Sequence, residues 1–371
     1  MNVLQINKRY YPHVGGVENH VRILSTGLKN RADVRILCAN EGPRTVVDTV
    51  DGLTVTRLAN WYDRLSAPMA PSFITRLPDS RCDIHHVHFP SGLPEVALAS
   101  RGVGKPIVVT YHSDIVRQKY LEKAFRPFAA KLLEKASRII VGSPNLIHSS
   151  RLLGDAKEKC AVIPFGIDES GLEGTPEVMA RVSRIRDSYD GKLVFFLGRL
   201  IYYKGVEHLI KAMQEIEGTL LIGGTGPLEG ELKALARDLL VDAKVVFLGS
   251  ISKEDHPAYY HACDVFALPS VAESEAYGLV QVEAHMCGKP VVSTDLPTGV
   301  PFVNQHEITG LVVPPGDDRA LAEAINRLFE DDALRLRLGT QAKKRALAEF
   351  TASRMVDRTF ELYTDLMEGR S

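Results

Sequence analysis

The sequence predicts an α/β protein with two doubly wound, Rossmann-like domains. The chain has 371 residues and a mass of 40.9 kDa, roughly two to three times the common domain size, so two hydrophobic cores are expected. Short apolar runs bounded by Gly, Pro or polar residues alternate with segments of helical periodicity, a pattern typical of a mainly parallel sheet. This alternation stops near residue 166 and restarts near residue 191.

The elements of the first half follow one another as strand and helix. Amphipathic periodicity predicts helices at Glu18–Leu28 and Lys119–Ala136. The predicted strands are Val3–Ile6, Val34–Cys38, Leu53–Arg57, Ile84–Val87, Ile107–Thr110 and Ile139–Val141.

An irregular linker is predicted from residue 166 to residue 191, and it separates a domain at 1–170 from a second domain at 171–351. A helical pattern at Ala352–Met367 has no strand after it, so we expect this C-terminal helix, within 352–371, to cross back to the N-terminal domain. Ligands of open α/β sheets bind beyond the carboxyl ends of the strands, so the chemistry is expected in a central cleft between two facing domains. The second half has a predicted helix at Gly230–Leu240 and predicted strands at Leu193–Leu197, Thr219–Ile222, Lys244–Leu248, Val265–Leu268 and Pro290–Ser293.

Composition excludes several classes of protein. With 45% hydrophobic and 25% charged residues and a mean hydropathy of -0.05, the composition is that of a globular protein and argues against a disordered, collagen-like or integral membrane chain. Its five cysteines are widely spaced without a C-x-x-C pair, which argues against a disulfide framework and a zinc site. The N-terminus lacks a signal-peptide pattern, so the expected location is the cytoplasm.

Charge is distributed unevenly. The formal net charge of -1 gives no basis for nucleic-acid binding, yet residues 1–185 hold 25 basic and 18 acidic residues, and the remainder hold 20 and 28. Residues 116–138 concentrate this excess around a proline, Pro127. The segment is either a helix that docks on an anionic membrane surface or a core helix with a solvated basic face, and both interpretations stay open. Its basic residues are Arg117, Lys119, Lys123, Arg126, Lys131, Lys135 and Arg138.

Several predicted strands end in loops suited to phosphate. Gly15 and Gly16 open the first helix, where glycine permits close approach and a helix N-terminus favours an anion, although a plain turn is an equal alternative. Arg199 and Lys204 follow a later strand, and two cations at this spacing suit a diphosphate, with a solvated basic loop as the alternative. The glycines around Gly224 do not complete G-x-G-x-x-G, and there is no P-loop, so neither NAD binding nor P-loop hydrolysis is supported.

Two carboxylates mark the most informative segment. Glu275 lies in a loop after a strand, and Glu283 lies in a helix that begins near Gly278 and ends near Gly288. The first carboxylate therefore precedes a helix N-terminus whose free amides can bind phosphate, and the second lies about one turn inside. Both are placed to accept hydrogen bonds from sugar or ribose hydroxyls beside that phosphate.

With these segments the sequence resembles the retaining GT-B glycosyltransferases of family 4, whose hallmark is the E-x7-E pattern seen here from Glu275 to Glu283. The resemblance extends over nearly the whole chain. Each motif is weak alone, but their shared order and spacing argue against a chance match. These motifs are Gly15-Gly16-Val17-Glu18, Thr110-Tyr111-His112, Ile163-Pro164-Phe165-Gly166-Ile167-Asp168, Gly198-Arg199-Leu200 with Lys204-Gly205, Gly224-Thr225-Gly226-Pro227, and Thr309-Gly310-Leu311-Val312-Val313-Pro314-Pro315-Gly316.

The resemblance implies a GT-B fold, with an acceptor-binding N-terminal domain and a donor-binding C-terminal domain. It assigns catalytic roles to His112 beside the donor sugar and to Glu275 at the sugar hydroxyls. The expected donor-binding residues are Gly15, Gly16, Arg199, Lys204, Gly224, Gly278, Leu279, Val280 and Glu283. Gly249 and Ser250 are expected near the base, and His88 is predicted to contact the acceptor. A metal site at the histidines of residues 83–88 is not favoured, because neighbouring strand residues face opposite sides.

The implied reaction moves a hexose from a nucleotide sugar to an acceptor hydroxyl with retention of configuration. The chain has no D-x-D triad, which fits an enzyme without metal or cofactor that uses fixed cations and amides. Similarity to bacterial mannosyl- and rhamnosyltransferases favours GDP-mannose as donor and a lipid-linked saccharide of polysaccharide or lipopolysaccharide assembly as acceptor, with the enzyme peripheral on the inner face of the plasma membrane. The alternatives are a UDP-glucose or UDP-N-acetylhexosamine transferase, a sugar-nucleotide 2-epimerase, and a non-catalytic nucleotide-sugar-binding protein.

Overall fold

The chain forms two compact units. The computed structural model describes residues 1–13, 15–64, 67–77, 81–101, 104–114 and 119–370, and for 63–64, 67 and 119–124 it describes the backbone only. The first unit comprises Met1–Gly166 and the residues from Ala352 onward, and the second comprises Ile167–Thr351. The division falls four residues before the predicted one because Ile167 already pairs within the second unit: its N–H donates to Phe350 O at 3.0 Å.

The first unit is built on an eight-stranded sheet with the strand order β10-β9-β8-β7-β1-β2-β4-β3. Neighbouring strands are parallel except β3, which runs antiparallel to β4 at one edge. The strands are β1 (Asn2–Ile6), β2 (Asp33–Ala39), β3 (Val46–Val50), β4 (Leu53–Leu58), β7 (Ile84–Phe89), β8 (Ile107–Tyr111), β9 (Arg138–Val141) and β10 (Cys160–Val162), and β5 (Tyr62–Arg64) and β6 (Ala67–Met69) form a separate hairpin. The helices are α1 (Gly16–Leu28), α2 (Ser72–Arg76), α3 (Leu93–Arg101), α4 (Lys119–Lys135) and α5 (Pro144–Ser149).

The central strands of this sheet are buried on both faces. Every residue of β7 is buried, and successive side chains enter different cores: Ile84 packs in the cluster under α1, and Val87 packs in the opposite cluster. The near-continuous apolar runs of the sequence follow from this double burial.

The second unit contains a six-stranded parallel sheet with the order β13-β12-β11-β14-β15-β16. Apolar clusters cover both of its faces. Its strands are β11 (Leu193–Leu197), β12 (Thr219–Gly223), β13 (Val245–Gly249), β14 (Val265–Leu268), β15 (Val291–Thr294) and β16 (Gly310–Val313). Its helices are α6 (Pro176–Asp187), α7 (Val206–Ala212), α8 (Glu229–Asp238), α9 (His256–Ala262), α10 (Leu279–Met286), α11 (Val300–Val303), α12 (Asp318–Glu330) and α13 (Asp332–Glu349).

The C-terminal helix α14 (Ala352–Met367) belongs to the first unit and packs on α1. A Cβ on Gly27 would lie 2.4 Å from Val356 Cγ2, so the glycine permits this close approach. Arg31 and Asp357 form an ion pair at 2.5 Å, and Tyr363 is fully buried. The prediction of two Rossmann-like α/β domains with a C-terminal helix returning to the first is therefore confirmed.

The prediction of an irregular linker from 166 to 191 is wrong, because helix α6 lies within it. Its start follows ordinary rules: the Thr175 side chain accepts the Val178 N–H, and Pro176 occupies the first turn. Val178, Val182 and Ile185 repeat at helical spacing and pack against α9. These residues belong to the second unit rather than to a linker.

The basic helix begins at Lys119, as predicted, and contains Pro127. Residues 116–118 of the predicted membrane-docking segment lie outside the described residues, as do the side chains of Lys119 and Lys123. In the remaining part, Leu132 and Leu133 are buried in the core, whereas Arg126 and Lys131 are exposed. This part is therefore a core helix with a solvated basic face. Among the described helices, none has both the length and the apolarity needed to cross a bilayer.

Candidate functional site

In the second unit the predicted donor motifs lie together at the carboxyl ends of four adjacent strands, β13, β12, β11 and β14. Backbone hydrogen bonds join their loops: Gly198 N–H donates to Gly223 O at 3.0 Å, and Leu200 N–H donates to Thr225 O at 2.9 Å. Gly224 N–H donates to Gly249 O at 2.7 Å, which adds the segment of Gly249 and Ser250. Motifs spaced over 50 residues in sequence thus form one surface.

Glycines allow these loops to touch. Gly224 has a φ of +116°, and a Cβ there would lie 2.0 Å from Gly198 O. At Gly205, with a φ of +62°, a Cβ would lie 2.2 Å from Pro269 O. Any larger residue would separate the loop after β11 from the loops after β12 and β14.

The approach at Gly205 brings Lys204 to Glu275. The Lys204 Nζ and Glu275 Oε2 atoms are 2.5 Å apart, and the Ser270 hydroxyl donates to the same oxygen at 3.0 Å. Both charged side chains are about nine-tenths buried, with exposed fractions of 10% and 9%. Burial alone would lower the pKa of Lys204, but the adjacent carboxylate outweighs it and the pKa is raised. Lys204 is therefore held as an ammonium ion.

Arg199 differs from Lys204 in being exposed. Within the described ranges, no carboxylate forms an ion pair with its guanidinium. Its charge is therefore available to a solute at the same loop surface, as a diphosphate would require.

Helix α10 carries Glu283 and begins directly after Gly278, which has a φ of +71°. The Glu283 carboxylate accepts a hydrogen bond from the Tyr260 hydroxyl at 2.6 Å. Burial raises the pKa of Glu283, and the Tyr260 hydroxyl opposes this rise only in part. Gly278 is the N-cap of this helix, and Leu279 and Val280 begin its first turn, where backbone amides have no carbonyl partner within the helix.

In the first unit, Gly15 and Gly16 form the N-terminus of α1. A Cβ on Gly15 would lie 2.2 Å from Glu18 Oε2, whereas one on Gly16 would meet no atom within 4 Å. The Glu18 carboxylate thus covers Gly15, and Gly16 opens onto free space.

His112 follows β8 and keeps 8% exposure within a group of buried histidines. Its Nε2 atom lies 3.3 Å from His88 Nδ1. The His20 ring packs edge-on against it with centroids 4.9 Å apart, and Phe165 lies at 5.0 Å. Burial and the neighbouring histidines lower the pKa of His112 well below its usual value, so it is neutral at physiological pH.

The predicted contact of His88 with the acceptor is wrong. His88 is fully buried, and its Nε2 lies 2.8 Å from Gln5 Oε1 while its Nδ1 pairs with His112. The His88 side chain is buried because β7 is covered on both faces. The alternation of side chains along one strand does not show whether both faces of the sheet are covered. His85 faces the opposite side, toward Cys82, as alternation predicts.

His20, His88 and His112 each offer a ring nitrogen, and these atoms lie within 4.8 Å of one another. Neutral imidazoles are good metal ligands. However, both nitrogens of His88 already have hydrogen-bond partners. Coordination of an ion by His88 would break the hydrogen bond at the coordinating nitrogen, so the arrangement fits a hydrogen-bonded cluster better than a metal centre.

A cavity of about 260 Å³ lies beyond the carboxyl ends of β1 and β2, and the sequence analysis did not identify it. Its lining includes Arg9, Tyr10, His13, Asp48 and Arg57. The Arg57 guanidinium is fixed by Asp48 Oδ2 at 3.0 Å and by the Tyr11 carbonyl at 2.5 Å. The loop that forms one wall continues toward Gly15, so the cavity belongs to the same edge of the sheet.

Two family models match the chain. The model described as Glycosyltransferase Family 4 matches residues 14–170, and the model described as Glycosyl transferases group 1 matches residues 183–345. The second range falls within the second unit, and the first lies in the first unit except for its last four residues, 167–170.

Two curated relatives match over nearly their whole length. The chain is 32% identical over 379 residues to O-antigen chain mannosyltransferase C of Escherichia coli, with 100% of both proteins covered. It is 32% identical over 356 residues to D-rhamnosyltransferase WbpZ of Pseudomonas aeruginosa, with 95% of this chain and 93% of the relative covered. Among solved structures, sucrose-phosphate synthase of Thermosynechococcus elongatus has a TM-score of 0.80 at 24% identity, with 99% of each chain covered. That structural likeness supports the GT-B fold.

Proposed function

The chain belongs to the family 4 and group 1 glycosyltransferases, and on this premise we propose that it transfers mannose from GDP-mannose to a hydroxyl of a lipid-linked saccharide with retention of configuration. The observation that carries the proposal is the single loop surface at the carboxyl edge of the second sheet. It combines an exposed arginine, a buried lysine–glutamate pair and a helix N-terminus. A sugar diphosphate needs these groups together.

The diphosphate is bound by cations and amides. Arg199 makes forked contacts to phosphate oxygens, and Lys204 supplies a fixed positive charge. The amides of Gly278, Leu279 and Val280 cap the anion at the start of α10, and Gly16 lets its loop lie against the same group. Glu283 accepts hydrogen bonds from the ribose hydroxyls, and the segment of Gly249 and Ser250 lies beside the base.

The transition state is oxocarbenium-like, and negative charge accumulates on the leaving diphosphate as the glycosidic bond breaks. Arg199, Lys204 and the α10 amides therefore bind more strongly as the reaction proceeds, which lowers the barrier. These fixed positive groups take the role that a divalent metal has in other transferases, so we propose a metal-independent reaction. The departing phosphate oxygen accepts the proton of the acceptor hydroxyl as the new bond forms on the same face.

Glu275 and His112 act on the sugar. One Glu275 oxygen is bound to Lys204 and Ser270, and the carboxylate orients the donor through the sugar hydroxyls. His112 is a neutral ring that contacts the sugar near the reacting carbon. The acceptor binds on the first unit at the cavity beside Arg57, in place of the contact expected at His88.

The names of the relatives support the choice of donor and acceptor. One is an O-antigen chain mannosyltransferase and the other a D-rhamnosyltransferase. For an acceptor anchored in lipid, the exposed basic face of α4 provides an attractive surface for anionic headgroups. We therefore propose peripheral binding at the cytoplasmic membrane.

Analysis of the product tests the proposal. Purified protein is incubated with GDP-mannose, UDP-glucose or UDP-N-acetylglucosamine and an octyl glycoside of mannose, rhamnose or N-acetylglucosamine, with and without EDTA. NMR of the product should show an α-mannoside, and EDTA should leave the rate unchanged. A β-mannoside would contradict retention, loss of activity with EDTA would contradict metal independence, and transfer from a UDP-sugar alone would contradict the donor.

A further inference from the structure

We infer that Tyr363 on the C-terminal helix is a positioning residue for the reaction, because it selects the tautomer of His112 through Gln5 and His88. The inference rests on the proposed function, in which His112 contacts the donor sugar. Gln5, His88 and Tyr363 are each fully buried, whereas His112 keeps 8% exposure. The chain of hydrogen bonds thus begins in the core and ends at the one member that a ligand can reach.

The chain is continuous. The Gln5 amide donates from Nε2 to the Tyr363 hydroxyl at 3.1 Å, and its Oε1 lies 2.8 Å from His88 Nε2. His88 Nδ1 lies 3.3 Å from His112 Nε2. The two rings are inclined by only 29° with centroids 5.5 Å apart, about the nitrogen separation plus the two ring radii. The two nitrogens therefore lie close to the line between the ring centres. An N–H···N hydrogen bond requires this arrangement, whereas coordination of one metal ion by both rings does not.

The donor in each hydrogen bond along this chain follows from the bond between the Gln5 amide oxygen and His88 Nε2. An amide oxygen only accepts, so His88 carries its proton on Nε2 and leaves Nδ1 as an acceptor. His112 must then donate from Nε2, which leaves the lone pair on its Nδ1. This assignment holds because the rings are neutral, and a neutral imidazole carries one proton.

Tyr363 decides the orientation of the Gln5 amide. We assign the Tyr363 hydroxyl proton to His86 Nδ1, the atom against which it lies, and this leaves the hydroxyl oxygen to accept from the amide N–H. His86 is anchored in turn, with its Nε2 at 2.6 Å from the Thr110 hydroxyl. Rotation of the amide by a half turn would reverse every bond and move the proton of His112 to Nδ1. Removing the Tyr363 hydroxyl removes the group that prevents this rotation.

Tyr363→Phe tests the inference, with Val356→Ala as the matched control because Val356 packs the same helix on α1 without joining the chain. Histidine tautomers are read by long-range 1H–15N NMR of the full-length protein, which requires no activity. We expect His112 as the Nε2–H tautomer in the wild type and in Val356→Ala, and a mixture of tautomers in Tyr363→Phe. An Nδ1–H tautomer in the wild type would overturn the inference.

Kinetics supply the second readout. In Tyr363→Phe we expect kcat to fall about tenfold, equivalent to about 1.4 kcal/mol, with the KM of donor and acceptor within twofold of wild type. Val356→Ala should keep the wild-type kcat at a temperature where both variants are folded. An unchanged tautomer and kcat in Tyr363→Phe, or an equal loss in both variants, would overturn the inference. A wild type without transferase activity would instead contradict the proposed function, and the NMR result would still decide the tautomer.

Discussion

Replacing Glu275 with Gln removes the charge that neutralises Lys204 and preserves the shape of the side chain. The pair is about nine-tenths buried with its charged atoms 2.5 Å apart. Removing one partner of such a pair costs about 3 to 5 kcal/mol, because the other charge stays buried alone. For a unit of this size we expect the melting temperature to fall by about 6 to 20 °C.

GDP should reverse part of this loss. In the wild type the Glu275 carboxylate lies beside the ammonium ion that is proposed to bind the diphosphate, and it repels that diphosphate. In Glu275→Gln the repulsion is absent and Lys204 lacks a counter-charge. We therefore expect GDP to bind the variant about tenfold more tightly than wild type, a difference of about 1.4 kcal/mol. Transfer activity should nevertheless fall, because the sugar loses its carboxylate contact.

Differential scanning fluorimetry with an external dye, with and without GDP, provides the assay. An external dye is needed because the single tryptophan, Trp61, lies in the first unit. Asp264→Asn is the control: Asp264 pairs with Arg186 at 3.0 Å and precedes β14, at the edge of the sheet opposite the loops. It should lower the melting temperature without changing the GDP-induced shift relative to wild type. A GDP shift in Glu275→Gln no larger than that of wild type would refute the reasoning.

Three further predictions follow from buried groups and surface charge. Because burial raises the pKa of Glu283, the ionised carboxylate destabilises the fold. The variant Glu283→Gln should therefore raise the melting temperature at pH 8, leave it unchanged at pH 4 and increase the KM of the donor. An unchanged melting temperature at pH 8 would contradict this prediction. Burial lowers the pKa of His20 to about 3 and both ring nitrogens lack partners, so its contribution to stability is lost as pH falls below the usual histidine pKa. His20→Phe should then move acid unfolding, followed by circular dichroism, to lower pH, and an unchanged midpoint would count against it. The double variant Arg126→Glu, Lys131→Glu should sediment less with phosphatidylglycerol liposomes but preserve transfer to a soluble acceptor. The control variant Arg319→Glu, in the second unit, should change neither property. Equal liposome binding by the wild type, the double variant and the control would argue against docking through α4.

Much of the fold could be predicted because its elements have local signatures. The apolar runs at Val3–Ile6 and Leu193–Leu197 lie in buried parallel strands, and glycines or prolines punctuate them. Edge elements were missed. Strand β3 has two strongly exposed valines, Val46 and Val47, and therefore lacks the continuous buried run that identified the central strands. Helix α6 was missed despite its N-cap, because its apolar positions are few.

The site could be predicted in part. Each loop after a strand was recognisable, and sheet topology explains why four of them meet. The direct contact between Lys204 and Glu275 could not be read from the sequence, since it depends on the close approach at Gly205 to a backbone carbonyl 64 residues away in the chain. The burial of His88 was equally hidden, because its partners Gln5 and His112 come from segments that are distant from it in the chain.

Release of GDP tests the central claim most directly. Wild-type protein is supplied with GDP-mannose, and GDP is measured with and without a lipid-linked saccharide. We predict rapid release only when the acceptor is present, and a severe reduction in Glu275→Ala and in His112→Ala. Conversion of the donor without an acceptor would indicate an epimerase, and the absence of any turnover with nucleotide sugar and acceptor would contradict the assignment of a transferase.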